Sequence, residues 1–229
     1  KLSNKYQYIQ DIISFDNFTL VKWENKSETD YEVVSNKCIS KFDESKGVFV
    51  GHYIYTSDTY SSYNDEVAVD SAGNIFVSKI NSYDSNLKIF AIPNNSSNVI
   101  TVYDSTATIF YNSTFSFLAD KNQNIKAYIS TAANVKFYNL QYNANNIKTA
   151  SLVLEYNYNN GAISTFNHDI YYDYNNRLHL LYYIGSYDSP NYYWQFSDDY
   201  GRSFSTAKNI GSRSNISSDQ LDIIGAVDS

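Results

Sequence analysis

The sequence predicts an all-β fold made of many short strands. Of its 229 residues, 24 are Tyr and 13 are Phe, and aromatic residues favour pleated, half-buried strands. Asn, Ser and Asp residues, which favour turns, separate the short apolar runs. The chain also lacks a long stretch with the 3.6-residue period of an amphipathic helix. Together these observations predict strands joined by polar turns.

One pattern recurs along the chain: a short apolar strand, an Asp, a tight polar turn and a second apolar strand. The Asp residues that mark this pattern are Asp16, Asp70, Asp120, Asp173 and Asp228. Successive markers lie 54, 50, 53 and 55 residues apart, a period of about 53 residues. A polar loop, a third strand and a more variable fourth strand follow the second strand of each copy. In the first copy, the polar loop is expected to begin at Glu24.

A repeated unit of four antiparallel strands is the blade of a β-propeller. We therefore predict a single β-propeller domain over residues 1–229, forming either a ring or part of one. The four units are expected at about residues 12–65, 66–115, 116–168 and 169–222, and residues 223–229 are expected to begin a fifth. The alternative is a sandwich of unrelated hairpins, although a sandwich does not require a fixed period.

Charge and cysteine content exclude several classes of function. The net charge is −7 and no run of Lys and Arg forms a basic patch, so we expect no nucleic-acid partner. The apolar runs are too short to span a bilayer, so no membrane insertion is expected. The single cysteine, Cys38, is expected to be a buried strand residue. Six N-glycosylation sequons permit an extracellular location.

The fourth unit contains a second motif at its third turn. Ser197–Phe204 fits the pattern Ser/Thr-x-Asp-x-Gly-x-x-Trp/Phe. Asp199 is placed to accept backbone N–H groups across the turn, and Gly201 is placed to adopt a positive φ. Phe204 is placed to fill the space between neighbouring sheets. The segment resembles the Asp box, or bacterial neuraminidase repeat, of sialidase-like propellers.

That resemblance implies a scaffold and not a catalytic site. Asp boxes in the family are structural turns on the face opposite the ligand site. Sialidases of this type also resemble one another in using three Arg, a Tyr–Glu pair and an Asp acid/base. The three Arg residues here are Arg177, Arg202 and Arg213, and the repeat places only Arg213 on the ligand side. A complete sialidase site is therefore not expected, although the carboxylate pair of another glycosidase stays open.

Candidate ligand-binding residues come from the loops that share the other face of a propeller. They are aromatic or ionisable: Trp23, Tyr83, Asp84, His168, Asp169, Tyr187, Asp188 and Arg213. Such side chains contact sugar rings and hydroxyl groups, and they also serve protein contacts. The segment Asp120–Asn124 begins like a calcium loop but lacks the Gly and the last acidic residue of an EF-hand, so no metal or other cofactor is expected.

The leading functional hypothesis is a noncatalytic, sialidase-like propeller at the cell surface or outside the cell, which recognises a glycan or a surface protein. One rival is a glycoside hydrolase of sialidase type, which requires convergent Arg residues or paired carboxylates. The other rival is a structural module of a cell-surface or virion assembly, which requires flat apolar contact surfaces.

Overall fold

The computed structural model describes most of the chain. The described residues are 4–15, 18–28, 33–58, 65–80, 86–94, 96–105, 114–120, 122–130, 134–159, 169–173, 175–184 and 189–212. Two of the five predicted marker residues, Asp16 and Asp228, lie outside them.

Sixteen strands form four antiparallel sheets of four strands each in the described part of the chain. Sheet I contains β1 (Asn4–Phe15), β2 (Phe18–Glu28), β3 (Val33–Asp43) and β4 (Val48–Asp58). Sheet II contains β5 (Glu66–Val69), β6 (Ile75–Ile80), β7 (Leu87–Ile92) and β8 (Ile100–Asp104). Sheet III contains β9 (Thr114–Ala119), β10 (Ile125–Ser130), β11 (Asn134–Tyr142) and β12 (Ala150–Asn159). Sheet IV contains β13 (Asp169–Tyr172), β14 (Leu178–Ile184), β15 (Asn191–Ser197) and β16 (Lys208–Ser212).

Each sheet is a meander in which consecutive strands pair with each other. The prediction of an all-β fold with four-stranded antiparallel sheets is confirmed. The first strand of sheet I is longer than predicted, because it begins at Asn4 and not near residue 12. Its early part was hidden in the sequence by Gln7, Gln10 and Asp11, which interrupt the apolar pattern, and a bulge between Ile9 and Asp11 shifts its register. No described helix is long and apolar enough to cross a membrane.

The same turn follows the first strand in sheets II, III and IV. The Oδ1 atom of Asp70, Asp120 or Asp173 accepts the backbone N–H groups of the residues two and four positions later, at 2.8 to 3.0 Å. The residue three positions after each Asp has a positive φ: 78° at Gly73, 59° at Gln123 and 64° at Asn176. The marker Asp therefore recurs because its carboxylate satisfies backbone groups that the turn leaves without a partner strand.

Gln123 is the one of these three positive-φ residues whose side chain is poorly suited to that conformation. A left-handed backbone costs a non-glycine residue about 1–2 kcal/mol, and Gly avoids this cost but loses more entropy on folding. We expect Gln123→Gly to raise the free energy of unfolding by about 0.5–1 kcal/mol in urea titrations. Gln123→Ala is the control, because it keeps the Cβ and should gain nothing. Equal stability of the two variants would contradict the argument.

The sheets pack face to face in chain order. One apolar cluster joins sheets I and II, another joins sheets II and III, and a third joins sheets III and IV. Their fully buried members include, in that order, Ile39 and Val77, Phe76 and Ile125, and Phe137 and Leu180. The first strands of sheets II, III and IV also meet in chain order, since β5 contacts β9 and β9 contacts β13. Each inner sheet thus buries both of its faces.

Sheets I and IV each have one outward face that no other described sheet covers. Side chains on this face alternate with those in the clusters, so the outward face of sheet I carries Ile9, Ile12 and Ile54. These side chains are 69%, 59% and 61% exposed. Apolar exposure of this extent is typical of a surface that packs against another structure.

Candidate functional site

The two ends of the sheets differ in what they carry. The three marker turns and the turn after β15 lie at one end of the meanders, which we call the marker end. The connections between second and third strands, and those between sheets, lie at the opposite end, which we call the loop end. A hydrogen bond of 2.6 Å from Arg177 Nε to Asp198 Oδ1 joins a marker turn to the turn after β15. The loop end is where the sequence predicts a ligand.

Most of the predicted ligand-binding residues lie outside the described part of the chain. These are Tyr83, Asp84, His168, Tyr187, Asp188 and Arg213. Asp169 is the first residue of β13 and pairs with Leu181. Asp169 therefore stands at the loop end of sheet IV. Trp23, in contrast, lies within strand β2.

The expectation that Trp23 lies beside a loop beginning at Glu24 is wrong. β2 continues to Glu28, and Trp23 pairs with Cys38 inside sheet I. The indole Nε1 of Trp23 donates to Ser40 Oγ at 2.8 Å, and Ser40 Oγ lies 2.6 Å from His52 Nδ1. These contacts fix the indole on the outward face of sheet I, so Trp23 does not stand free in a loop to meet a ligand.

Cys38 lies beside Trp23 and is 1% exposed. Burial raises the pKa of its thiol to about 11. Because the thiolate is the reactive form, this thiol is inert in the folded protein at neutral pH. Cys38 is therefore a packing residue of sheet I.

The turn at Ser197–Phe204 is held by its own side chains. Asp199 Oδ1 accepts the Ser203 backbone N–H at 2.9 Å and the Ser197 hydroxyl at 2.7 Å. Gly201 has a φ of 90°, and its N–H donates to Ser197 Oγ at 2.7 Å. The Phe204 ring lies 5.9 Å from that of Phe137 in sheet III. The four predicted motif residues thus build a turn that also packs against the neighbouring sheet.

The Asp199 carboxylate makes this turn sensitive to acid. Although burial raises its pKa, hydrogen bonds from the side chain and backbone of Ser203 and from Ser197 lower it below the usual value. A carboxyl group whose pKa is depressed by folding stabilises the fold above its unfolded pKa of about 3.9, and this stabilisation is lost as the pH falls through the folded pKa.

We expect Asp199→Asn to reduce the loss of unfolding free energy that acid causes in the wild type. The measurement is a set of urea titrations at pH 6 and at pH 3. Asp104→Asn, which changes a carboxylate 48% exposed, is the control and should leave the pH dependence nearly as it is. If Asp199→Asn lost as much unfolding free energy between pH 6 and pH 3 as the wild type does, the role assigned to the Asp199 carboxylate would be contradicted.

A buried ionic cluster joins sheets I and II at the loop end. Lys37 Nζ lies 2.8 Å from Asp65 Oδ2, and their side chains are 7% and 1% exposed. The Tyr55 hydroxyl donates to the same Oδ2 at 2.9 Å, and Lys22 Nζ donates to the Asp65 carbonyl at 2.7 Å. Burial and the Asp65 charge raise the pKa of Tyr55, so its hydroxyl stays protonated. A nucleophilic tyrosine needs a lowered pKa. The raised pKa of Tyr55 therefore favours a structural role for this cluster.

Beside this cluster, a surface patch combines an aromatic ring with polar groups. Tyr8 is 48% exposed and pairs with Glu24 across β1 and β2. Glu24 accepts a hydrogen bond from Gln10 Nε2 at 3.2 Å and another from Ser35 Oγ. Lys26 Nζ lies 3.7 Å from Glu24 Oε1 and 5.7 Å from the centre of the Tyr8 ring. We call Tyr8, Gln10, Glu24 and Lys26 the Tyr8 patch.

A polar cleft of about 210 Å³ lies between sheets III and IV near the marker end. Its lining residues are Asp120, Asn122, Asn124, Lys126, Glu155, Tyr156, Tyr200 and Arg202. Lys126 Nζ already binds Glu155 at 3.0 Å, and Asn124 Nδ2 donates to Asp120 Oδ2 at 3.0 Å. Both carboxylates therefore have partners within the cleft.

The segment that begins like a calcium loop is a marker turn. Asp120 binds the backbone N–H groups of Asn122 and Asn124, so its Oδ1 is committed to the turn. In the described part of the chain, no group of three His, Cys, Asp or Glu side chains is placed to hold a metal ion. No protein-family model matches the chain, and comparison with curated proteins gives no match.

Proposed function

We propose that the chain forms a β-propeller, or part of one, of the sialidase-like type. Four similar sheets stacked in chain order support this architecture, as does the contact between the first strands of sheets II, III and IV, since first strands line the central axis of a propeller. The hydrogen bonds and the positive φ of the Ser197–Phe204 turn fit an Asp box. A sandwich of hairpins explains neither the equal sheets nor their order.

For this propeller we propose a noncatalytic role in recognition outside the cell, at a glycan or a surface protein. The observation that carries this proposal is the Tyr8 patch at the loop end. Its exposed ring can stack on a sugar, while Gln10 and Lys26 offer an amide and an ammonium to hydroxyl groups. The buried Glu24 carboxylate holds both of these side chains in place. The nearby Asp65 and Tyr55 are committed to each other and to Lys37, so this cluster supports the patch as a scaffold.

A glycan array probed with the full chain tests the proposal, and candidate ligands are then titrated by calorimetry. We expect Tyr8→Ala to weaken binding at least tenfold, which corresponds to about 1.4 kcal/mol. Phe49→Ala is the matched control, since Phe49 is an aromatic residue of the same sheet, is 51% exposed and stands near the marker end. Equal loss in both variants, or binding to neither glycans nor surface proteins, would contradict the proposal.

A glycoside hydrolase is the second candidate, and the cleft between sheets III and IV favours it. The cleft brings the carboxylates of Asp120 and Glu155 together with Arg202 and Tyr200. Turnover of a fluorogenic glycoside, abolished by Glu155→Gln but kept in Glu66→Gln of sheet II, would support this candidate over recognition alone.

A further inference from the structure

The outward face of sheet I has three successive rows without a charged side chain. The rows of cross-strand pairs run over β1, β2, β3 and β4, from the row with the Ile9–Trp23 pair to the row with the Ser14–Thr19 pair. None of their twelve residues, four in each row, is Lys, Arg, Asp or Glu. In the whole chain 18% of the residues are charged, so this face has the charge depletion that is typical of an interface core.

The polar side chains within these rows already have partners there. Trp23 Nε1 donates to Ser40 Oγ at 2.8 Å, and the same oxygen lies 2.6 Å from His52 Nδ1. His52 belongs to β4, an edge strand of the sheet, so its second ring nitrogen can stay in contact with water at the rim. The face can therefore be covered without leaving the indole or the hydroxyl group unpaired.

The most exposed apolar side chains of this face lie on its two edge strands. Ile9 and Ile12 on β1 and Ile54 on β4 are each more than half exposed, whereas Cys38 and Ser40 on the inner strand β3 are buried. The face is thus higher along β1 and β4 than along β3. Water contacts the three Ile side chains, and only another molecule or domain packed on the face would remove it.

The uncharged rows are large enough for the core of an interface. Strands lie about 4.8 Å apart and successive rows about 6.8 Å apart, so four strands and three rows cover about 400 Å². A standard interface buries about 800 Å² of accessible surface on each partner, with an apolar core inside a polar rim. The next row toward the loop end contains Gln7, Asn25 and Asn36, whose amides are suited to such a rim.

Charge and exposure indicate which structure covers this face. A charged surface would lose hydration against it without gaining a partner, so the covering surface must be flat and uncharged. The outward face of sheet IV does not meet this condition, because it carries the His179–Asp173 pair and its Leu181 is only 6% exposed. A second copy of sheet I does meet it, since an isologous dimer brings the same surface of both copies together.

We propose that the outward face of sheet I is the interface of a homodimer, in which the first sheets of two copies pack face to face. Packed sheets lie about 10 Å apart, so Ile9, Ile12 and Ile54 of each copy leave water. The Tyr8 patch stays open, because Tyr8 pairs with Glu24 on the other face of the sheet. The proposal goes beyond the recognition function, because it assigns a partner to a different surface.

Sedimentation equilibrium of the full chain at about 1 to 100 µM tests the proposal. We expect a monomer–dimer equilibrium that Ile12→Asp and Ile54→Asp each weaken at least tenfold, because a carboxylate would have to be buried in the contact. The matched controls are Leu154→Asp in sheet III and Ile210→Asp in sheet IV, where the wild-type side chains are 50% and 48% exposed. These two variants should dimerise as the parent does.

The response to salt separates an apolar interface from an ionic one. Each copy has a net charge of −7, so the two copies repel each other. Raising the ionic strength from about 0.05 M to about 0.5 M screens this repulsion and should leave the dimer as strong or stronger. A dimer that dissociates in salt would be held by ion pairs and would overturn the proposal.

Trp23 gives a second readout from within the face. In a Trp194→Phe background it is the only indole, and we expect acrylamide quenching of Trp23 to fall about twofold as the dimer forms. Quenching should not depend on concentration when Ile54→Asp is added. Far-UV circular dichroism and the urea midpoint show whether each variant keeps its fold, and Ile54→Ser replaces an Asp variant that unfolds.

Three results would overturn the proposal. The first is a parent that stays monomeric at every concentration, which would mean that another structure covers the face. The second is equal weakening by all four Asp variants, and the third is a dimer whose formation leaves Trp23 quenching unchanged. Glycan binding enters none of these measurements, so failure of the recognition function leaves their outcome unaffected.

Discussion

Asp65→Asn is expected to lower the free energy of unfolding by about 3–5 kcal/mol, because removing one partner of a buried ion pair leaves the other charge uncompensated. The Lys37 ammonium lies 2.8 Å from Asp65 Oδ2 and is almost completely buried. The variant also weakens the bond from Tyr55, whose hydroxyl donates to the same oxygen at 2.9 Å. Urea titrations monitored by circular dichroism measure the loss.

Two further variants separate the charge from its surroundings. Lys37→Met combined with Asp65→Asn removes both charges and should recover most of the lost stability, since an apolar replacement of a buried pair is often close to neutral. Asp104→Asn is the exposed control: Asp104 pairs with Lys88 at 3.2 Å, and both side chains are more than two-fifths exposed. It should change stability by less than about 1 kcal/mol. Similar losses in Asp65→Asn and Asp104→Asn would show that burial does not decide the effect.

Gly201→Ala is expected to cost about 2–5 kcal/mol, from two physical sources. Its φ of 90° lies in the region that a Cβ disfavours, at a cost of about 1–2 kcal/mol. The added Cβ would also stand 2.7 Å from Phe137 Cε1, and crowding of this kind in a packed core costs about 1–3 kcal/mol. Urea unfolding measures the sum.

Gly47→Ala isolates the first source. Gly47 has a φ of 66°, but no atom lies within 4 Å of the position that its Cβ would take. We expect it to lose about 1–2 kcal/mol, the backbone cost alone. Phe137→Leu should then relieve part of the Gly201→Ala loss in a double-mutant cycle. Additive effects of Phe137→Leu and Gly201→Ala would contradict the crowding argument.

The sequence predicts the turns of this protein better than its strand lengths. Asp70, Asp120 and Asp173 are visible from sequence because one local chemistry, a carboxylate binding backbone N–H groups two and four residues later, needs the same residue each time. The turn between β15 and β16 can be predicted from sequence for the same reason, since Asp199 and Gly201 form hydrogen bonds to residues only four positions away.

What sequence could not reveal depends on contacts between distant residues. The polar stretch after Trp23 looks like a loop, yet it is strand, because the Glu24 side chain accepts hydrogen bonds from Ser35 on β3 and from Gln10 on β1. Lys37 lies in β3 of sheet I, whereas Asp65 directly precedes β5 of sheet II, so no local sequence pattern predicts their ion pair. Asp65 stands directly before β5. From sequence alone, an acidic residue at the start of a strand is interpreted as part of a solvated turn, because its partner Lys37 lies in another sheet.

The burial of Cys38 has a practical consequence for following the motions of sheet I. A thiol that is 1% exposed, with a pKa raised to about 11, reacts with an alkylating reagent only while the surrounding strands have come apart. Because the chain has no second cysteine, every adduct reports that one event. The rate of Cys38 labelling, measured by mass spectrometry, therefore reports how often the first sheet opens, and no engineered probe is needed.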